Sequence, residues 1–230
     1  MPPDSIIQSI RIGSIMKQIE QFRVNSHDLD INEVATPSAV LKYLQETANL
    51  QHYRHGPTID ELREQNKAFV VSKLSLNIYR PLRVFDDITV ESWLCKTRAM
   101  SFLRCGRILR DGSLIAELTS LWALIDTRNH KLLRSDEIKL GFGYDEPLEM
   151  EQPPRILIPQ NVSLSLAGEH TVTYGEADLN RHMNNTRYLD MFCNFIPSME
   201  GKTVVSVTVF YMSEAPLGET VRVYRSCNEL

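Results

Sequence analysis

The sequence has neither a long apolar run nor an excess of positive charge. None of its apolar stretches approaches the roughly 20 residues that a membrane-spanning helix requires, so no membrane span is expected. Lys and Arg number 25 against 29 Asp and Glu, which gives a net charge of -4 and no overall attraction to nucleic acid. Because 43% of the 230 residues are hydrophobic, we expect a globular protein with a substantial core.

Cysteines are also few, and their spacing is uninformative. Cys95, Cys105, Cys193 and Cys227 form no C-x-x-C pair, so neither a disulfide framework nor a structural zinc site is expected. Free thiols inside the fold are the predicted state. The first residues lack the charged and then apolar order of a secretory signal peptide, and this predicts a cytoplasmic location.

The first half of the chain carries helix signals followed by strand signals. Thr36 followed by Pro37 is typical of the start of a helix, and Gly56 predicts the end of that helix after about five turns. Thr58-Ile-Asp-Glu has the pattern of a capping box and predicts a second, short helix. From Ala68 the apolar period becomes two, and Asp111-Gly112 is typical of a tight antiparallel hairpin.

The second half repeats this order in a shorter form. Residues 136–159 hold four prolines and predict a linker. A strand, a polar cluster, a helix from about Asn185 to Pro197 and two more strands are expected after it. An Asp-apolar-Asn motif followed by Tyr-Leu occurs near residue 30 and again near residue 180, which favours a duplicated unit. Fewer residues follow the second helix than follow the first, so the second unit is expected to be shortened. The chain is then cut short, or this copy is genuinely abbreviated, or a partner covers the exposed edge of the sheet.

The polar cluster at residues 178–184 is the candidate site. If this segment is extended, then Asp178, Asn180, His182 and Asn184 lie on one side of it. A carboxylate, an imidazole, carboxamides and the free N–H groups of a following helix suit attack of water on a carbonyl group. The alternative is that Asp178 and Asn184 only cap turns while His182 is a partly buried histidine.

Two other chemistries are less favoured by the residues. A metal site is not expected, because the cluster has one histidine and no H-x-x-x-H or E-x-x-H spacing. A covalent mechanism needs a nucleophile beside a base, and no such pair is evident in the sequence. Cys193 lies on the apolar helix, where a role in the core is expected.

Several stretches together resemble the acyl-ACP thioesterases. DLNRHMNNTRYL resembles the active-site segment of that family, YLQETANLQHYRHG its first helix, and SFLRCGRILRDGSLIAELTSLWALIDTRNHKLLR its first hairpin. The resemblance implies an α+β fold of two tandem hotdog units, each a long helix against a curved antiparallel sheet. Residues 1–135 would bind the acyl chain, 136–168 would form the linker, and 169–230 would form a shortened catalytic unit.

The same resemblance implies the reaction and its residues. Asp178, Asn180 and His182 fall on the family's catalytic triplet, and Glu214 falls on its further acid. Where plant relatives commonly have a cysteine after that acid, this chain has Ala215, which favours direct attack by water. The implied function is hydrolysis of fatty acyl-ACP to free fatty acid and ACP, by water that a carboxylate activates, without cofactor or metal. Which of the two acids is the base stays open.

Further expectations concern binding. The partner implied is acyl carrier protein carrying a fatty acyl chain, and an acyl-CoA thioesterase and a non-catalytic acyl-binding module remain alternatives. The oligomeric state is open, with a homodimer as one alternative. Four arginines are candidates for meeting an acidic carrier protein, and five large apolar residues are candidates for lining an acyl channel or packing the core. The arginines are Arg98, Arg104, Arg107 and Arg110, and the apolar residues are Phe69, Leu74, Trp93, Phe102 and Trp122. The first unit has Val34 near the place of the histidine and is expected to bind without catalysing.

Overall fold

The computed structural model describes residues 16–159 and 161–226, so that the first residues and Cys227 lie outside it. The helices are α1 (Pro37–His55), α2 (Ile59–Glu64) and α3 (Arg187–Asn194). The strands are β1 (Lys17–Arg23), β2 (Lys67–Ile78), β3 (Asp87–Cys95), β4 (Phe102–Arg110), β5 (Ser113–Asp126), β6 (Lys131–Leu133), β7 (Tyr144–Asp145), β8 (Ser165–Thr171), β9 (Ser206–Phe210) and β10 (Thr220–Arg225). Within this part of the chain, no helix is both long and apolar enough to cross a membrane.

Helix α1 begins and ends where the sequence predicts. The Thr36 side chain accepts a hydrogen bond from the Ala39 N–H, and Pro37 occupies the first turn, where its missing N–H costs nothing. Gly56 ends the helix with a φ of 69°, a conformation that favours glycine. The predicted capping box is also present, because Thr58 and Glu61 exchange side-chain and backbone hydrogen bonds at the start of α2.

The main sheet is antiparallel and packs around α1. Its strand order is β1-β3-β4-β5-β2-β9, with β6 pairing with β5 and β7 with β3. Asp111 and Gly112 join β4 to β5 with φ angles of 51° and 73°, which confirms the predicted hairpin turn. Leu44 on α1 is 1% exposed and belongs to the same buried cluster as Leu76 and Ile108 of the sheet. Burial of such side chains stabilises the fold by about 1.5–3 kcal/mol each.

The second unit extends this sheet and adds a smaller one. Strand β9 pairs with β2 from Lys73–Phe210 to Asn77–Ser206, so the two units share one continuous sheet. Strands β8 and β10 form a separate antiparallel pair. Helix α3 contacts α1 through Ser38, whose hydroxyl donates to the Thr186 carbonyl and accepts from the Asp190 N–H. Helix α3 is shorter than the predicted Asn185 to Pro197, and the three predicted strands are present as β8, β9 and β10.

Part of the predicted linker, residues 136–168, packs against the main sheet. Strand β7 pairs in parallel with the end of β3. The Trp93 indole N–H donates to the Glu146 carbonyl at 2.8 Å, and the Thr119 hydroxyl donates to the Glu151 carbonyl at 3.2 Å. The first residues of β8 also fall within this range. The unit boundaries at 135 and 169 stay predictions.

The two units repeat the same turn before their helices. The Asp30 N–H donates to the Val34 carbonyl at 2.9 Å, and the Asp178 N–H donates to the His182 carbonyl at 2.8 Å. In each turn the aspartate side chain accepts from the N–H two residues further on, at 2.8 Å in both cases. The structures of these turns agree with the duplication that the sequence motif predicts.

Candidate functional site

The predicted extended face of residues 178–184 is wrong, because this segment is a tight turn. Asp178 Oδ1 accepts from the Asn180 N–H at 2.8 Å and from the His182 N–H at 3.3 Å. Asn184 Oδ1 accepts from the backbone and hydroxyl of Thr186, so it holds the start of α3 and does not join a row with the other polar residues. Aspartate and asparagine side chains compete with extended structure in this way. The turn-capping alternative therefore holds for Asp178 and Asn184.

His182 and Glu214 nevertheless come together across the fold. His182 Nδ1 lies 3.2 Å from Glu214 Oε2, and the two side chains are 30% and 56% exposed. Glu214 follows β9 in the chain, and an isolated bridge between His182 and Pro216 brings the two segments side by side. A carboxylate this close to Nδ1 favours the neutral tautomer with the proton on Nδ1 and leaves Nε2 as a proton acceptor. This pair is a suitable base for activating water.

The backbone bond that aligns this pair recurs in the first unit. The Met183 N–H donates to the Ala215 carbonyl at 2.8 Å. At the corresponding place, the Ala35 N–H donates to the Leu82 carbonyl at 2.9 Å. The two units can therefore be compared residue by residue at this point.

The comparison shows that the first unit carries no acid–base pair here. The residues that precede Met183 and Ala215 are His182 and Glu214, whereas the residues at the corresponding first-unit positions are Val34 and Pro81. Neither Val34 nor Pro81 has a group that transfers protons. The chemistry of the pair is thus confined to the second unit.

Two tyrosines next to the pair were not singled out by sequence reasoning. Tyr188 and Tyr211 meet edge to face with ring centroids 5.6 Å apart, and the Tyr211 hydroxyl donates to the Asn185 carbonyl at 2.9 Å. Burial, together with the charges of Glu214 and Asp178, raises the pKa of Tyr188. Its phenol therefore stays protonated and available as a donor. In the sequence Tyr188 was marked only by its place in the repeated Tyr-Leu motif and in an apolar helical period, and neither indicates a role in the site.

The free N–H groups expected at the start of the helix after the polar cluster are only partly present. The Asn184 N–H donates to the Glu176 carbonyl at 2.9 Å and is not free to bind a substrate. The Thr186 N–H donates to the side chain of Asn184. Within residues 16–159 and 161–226, the Asn185 N–H has no hydrogen-bond partner, and Asn185 lines the cavity described next. It is, among the described residues, an unpaired backbone donor at the start of α3.

A large cavity connects the candidate site with the first unit. Its volume is about 1490 Å³, and its lining includes Asp178, Asn180, His182 and Glu214. The predicted site residues are therefore brought to one cavity, although Asp178 uses one carboxylate oxygen within the turn. A mixed apolar and polar lining is typical of a small-molecule site, and this cavity is larger than the roughly 300–1,000 Å³ that is usual for one.

The first-unit wall of this cavity contains many apolar and aromatic residues beside polar ones. Three of the five predicted channel residues, Phe69, Phe102 and Trp122, line it. Leu74 belongs instead to the main core, and Trp93 packs with the two buried cysteines. Three of the five residues thus line the cavity and ordinary core packing describes the other two, while the role of the cavity as an acyl channel stays a prediction.

The predicted basic patch is wrong for at least three of its four arginines. Arg104 is buried, with 6% of its surface exposed. Arg107 forms an ion pair with Glu91 at 2.9 Å, and Arg110 forms one with Asp86. Charges engaged in this way offer little attraction to an acidic partner. Only Arg98 lies exposed.

The cysteines that the structure describes are free thiols. Cys95 and Cys105 are buried free thiols with sulfur atoms 3.4 Å apart, and Cys193 is half-buried. Burial raises the pKa of the Cys193 thiol, which makes it a poorer nucleophile. In the part of the chain that the structure describes, no group of three or more His, Cys, Asp or Glu side chains is placed to hold a metal ion.

Comparison with known proteins gives a consistent result. The family profile of the acyl-ACP thioesterase N-terminal domain matches residues 16–139, and that of the C-terminal domain matches residues 160–229. The chain is 23% identical over 235 residues to a chloroplastic palmitoyl-acyl carrier protein thioesterase of Cuphea hookeriana, covering 92% of this chain and 56% of the relative. It is 26% identical over 216 residues to the chloroplastic oleoyl-acyl carrier protein thioesterase 2 of Arabidopsis thaliana, covering 82% and 57%. The chain therefore spans a little over half the length of these curated relatives.

Solved structures share the fold. An acyl-ACP thioesterase from Bacteroides thetaiotaomicron superposes with a TM-score of 0.79 at 22% identity, covering 90% of this chain and 85% of that chain. The 12:0-ACP thioesterase from Umbellularia californica gives a TM-score of 0.70 at 19% identity, covering 90% and 86%. At this level of identity the likeness concerns the fold, and it confirms the predicted α+β arrangement of two hotdog units.

Proposed function

Because the chain belongs to the acyl-ACP thioesterase family, we propose that it hydrolyses the thioester between a fatty acyl group and acyl carrier protein. The products are free fatty acid and the thiol of the carrier. The observation that carries the proposal is the contact of His182 Nδ1 with Glu214 Oε2 at 3.2 Å, at the edge of a cavity with an apolar wall. Residues 169–230 perform the hydrolysis, and residues 1–135 hold the acyl chain.

The pair activates water. The Glu214 carboxylate, 3.2 Å from His182 Nδ1, favours the tautomer with its proton on Nδ1, so that Nε2 takes a proton from water as its oxygen attacks the thioester carbon. The carboxylate stabilises the imidazolium that forms. When the tetrahedral intermediate collapses, the carbon–sulfur bond breaks and the departing thiolate takes the proton from the imidazolium. Atoms and charge balance without a metal or an organic cofactor.

The remaining residues position the substrate. Asp178 shapes the turn through its bonds to the N–H groups of Asn180 and His182, and this fixes the backbone that carries the imidazole. The exposed amide of Asn180 orients the thioester at the rim of the cavity. The Asn185 N–H and the Tyr188 hydroxyl face the same cavity and stabilise the oxyanion. Between the two acids, Glu214 is the one in contact with the imidazole.

Two alternatives predict different results in the same assays. An acyl-CoA thioesterase has the same chemistry but a different carrier, and a binding module has the cavity without the reaction. The half-exposed carboxylate next to an imidazole favours the enzyme over the binding module. The cytoplasmic location, the acyl carrier protein partner and a homodimer remain predictions.

The test measures release of fatty acid from acyl-ACP and from acyl-CoA with the same acyl chain. His182→Ala and Glu214→Gln should each lower kcat/KM on acyl-ACP by about 10²- to 10⁴-fold. A matched control is available in the same unit, because His170 Nε2 lies 2.9 Å from Glu176 Oε1. His170→Ala and Glu176→Gln should leave the rate near that of wild type.

Three outcomes separate the alternatives. Faster hydrolysis of acyl-ACP than of acyl-CoA supports the proposal, and the reverse order supports the acyl-CoA thioesterase. Binding of acyl-ACP without any release of acid supports the binding module and contradicts hydrolysis.

A further inference from the structure

The inner wall of the cavity contains a buried arginine. Among the lining residues, Leu94, Phe102 and Arg104 are only 4%, 1% and 6% exposed, whereas Leu179 on the side of His182 is 77% exposed. The buried residues therefore mark the deep end of the cavity, and the exposed ones mark its rim. Arg104 comes from β4 and lies where the far part of an acyl chain would arrive.

The guanidinium of Arg104 has only part of its donors satisfied. Its Nη1 donates to Gln51 Oε1 at 2.9 Å and to Ser92 Oγ at 3.0 Å. Its Nη2 is buried and has no partner within residues 16–159 and 161–226. Buried polar groups in folded proteins are almost always hydrogen-bonded. An acceptor for Nη2 is therefore expected from outside the described protein groups.

The charge of Arg104 is also left without a counter-ion in the described residues, where its polar partners are a neutral amide and a hydroxyl. The neighbouring His52 supplies no negative charge, because burial, with the Arg104 charge, lowers its pKa to about 4 and keeps the ring neutral, and within the described residues it makes no hydrogen bond to Arg104. Phe142 offers only the face of its ring, 5.8 Å from Arg104 Cζ. Keeping a buried cation unpaired is costly, which points to a ligand that supplies the acceptor.

We propose that Arg104 binds an oxygen acceptor on the acyl chain and selects oxygenated chains over plain hydrocarbon chains. The acceptor is an oxo group or a terminal carboxylate, and both present to Nη2 the lone pairs that it lacks. A plain chain of the same length leaves Nη2 unsatisfied beside it. This inference rests on the proposed thioesterase function and names the class of acyl group that the cavity takes.

The experiment compares acyl-ACP substrates of equal chain length that end in a methyl group, end in a carboxylate or carry an oxo group, over a series of lengths. At the best length, kcat/KM of the wild type for an oxygenated chain should exceed that for the plain chain by roughly tenfold to a hundredfold. Arg104→Met should abolish this ratio. Arg80→Met, at an exposed arginine beyond the end of β2, is the matched control and should keep it.

A second measurement does not need catalysis. Thermal unfolding with a free dicarboxylic acid, compared with the monocarboxylic acid of the same length, should show greater stabilisation by the diacid in the wild type and no difference in Arg104→Met. If Arg104→Met does not fold, the two wild-type comparisons still decide the matter. A wild type that hydrolyses all chains without preference for oxygen at any length overturns the inference and keeps the proposed function. A wild type that hydrolyses no acyl-ACP overturns the proposed function.

Discussion

Acid is expected to destabilise the fold through His52. Its ring is buried between Phe69 and Phe142, at centroid distances of 5.5 Å and 5.0 Å, and lies near the charge of Arg104. Burial first, and then Arg104, lower the pKa of His52 from 6.5 to about 4. Between these two pH values the unfolded chain binds the proton and the folded chain does not, so stability is complete above pH 6.5 and is lost as the pH falls toward 4. Each tenfold difference in proton affinity corresponds to about 1.4 kcal/mol, so the unfolding free energy falls by roughly 3–4 kcal/mol over this pH range.

Urea unfolding at a series of pH values measures this effect. The variant His52→Asn keeps a donor for the Pro57 carbonyl but does not titrate, so the slope of its unfolding free energy against pH should be shallower than that of wild type between pH 6.5 and 4. His27→Asn changes an exposed histidine and should follow the wild-type slope. Parallel curves for wild type and His52→Asn would refute the reasoning.

Two further predictions concern backbone contacts. Gly141→Ala would place a Cβ 1.6 Å from the His55 carbonyl oxygen, so it should lower the unfolding free energy by about 1–3 kcal/mol in the same urea titration. Gly175→Ala is the control and should be nearly neutral, because a Cβ there meets nothing within 4 Å. Equal urea midpoints for the two variants would contradict the close approach of Gly141 to His55. Asp178→Ala and Asp30→Ala should each cost about 1 kcal/mol by removing the equivalent turn bond. Only Asp178→Ala should also lower acyl-ACP hydrolysis, and loss of activity in both variants would argue against the division of roles between the units.

Local signals made much of the fold readable from the sequence. Thr36, Gly56 and the Asp111-Gly112 pair act through hydrogen bonds and φ preferences of neighbouring residues, so their positions alone predicted the ends of α1 and the hairpin. The pairing of β9 with β2 joins residues more than a hundred positions apart. No local pattern specifies such a pairing, and the single continuous sheet could not be predicted.

At the candidate site, too, local sequence patterns did not specify which residues come together. The alternation over residues 178–184 predicted a row of polar groups, but the Asp178 carboxylate bonds to its own backbone and makes a turn instead. Glu214 was placed by family resemblance, since nothing near it in the sequence points to His182. Arg104 was expected at the surface because arginines mostly are, and its burial depends on how β4 packs against α1.

The most direct test of the central claim is a double-mutant cycle on the pair at 3.2 Å, His182 and Glu214. It measures kcat/KM for acyl-ACP hydrolysis by the wild type, His182→Ala, Glu214→Gln and the double variant. If the two side chains act as one base, the double variant should be about as slow as the slower single variant, since the second substitution removes nothing further. Fully additive losses, or a Glu214→Gln variant as active as the wild type, would contradict the account.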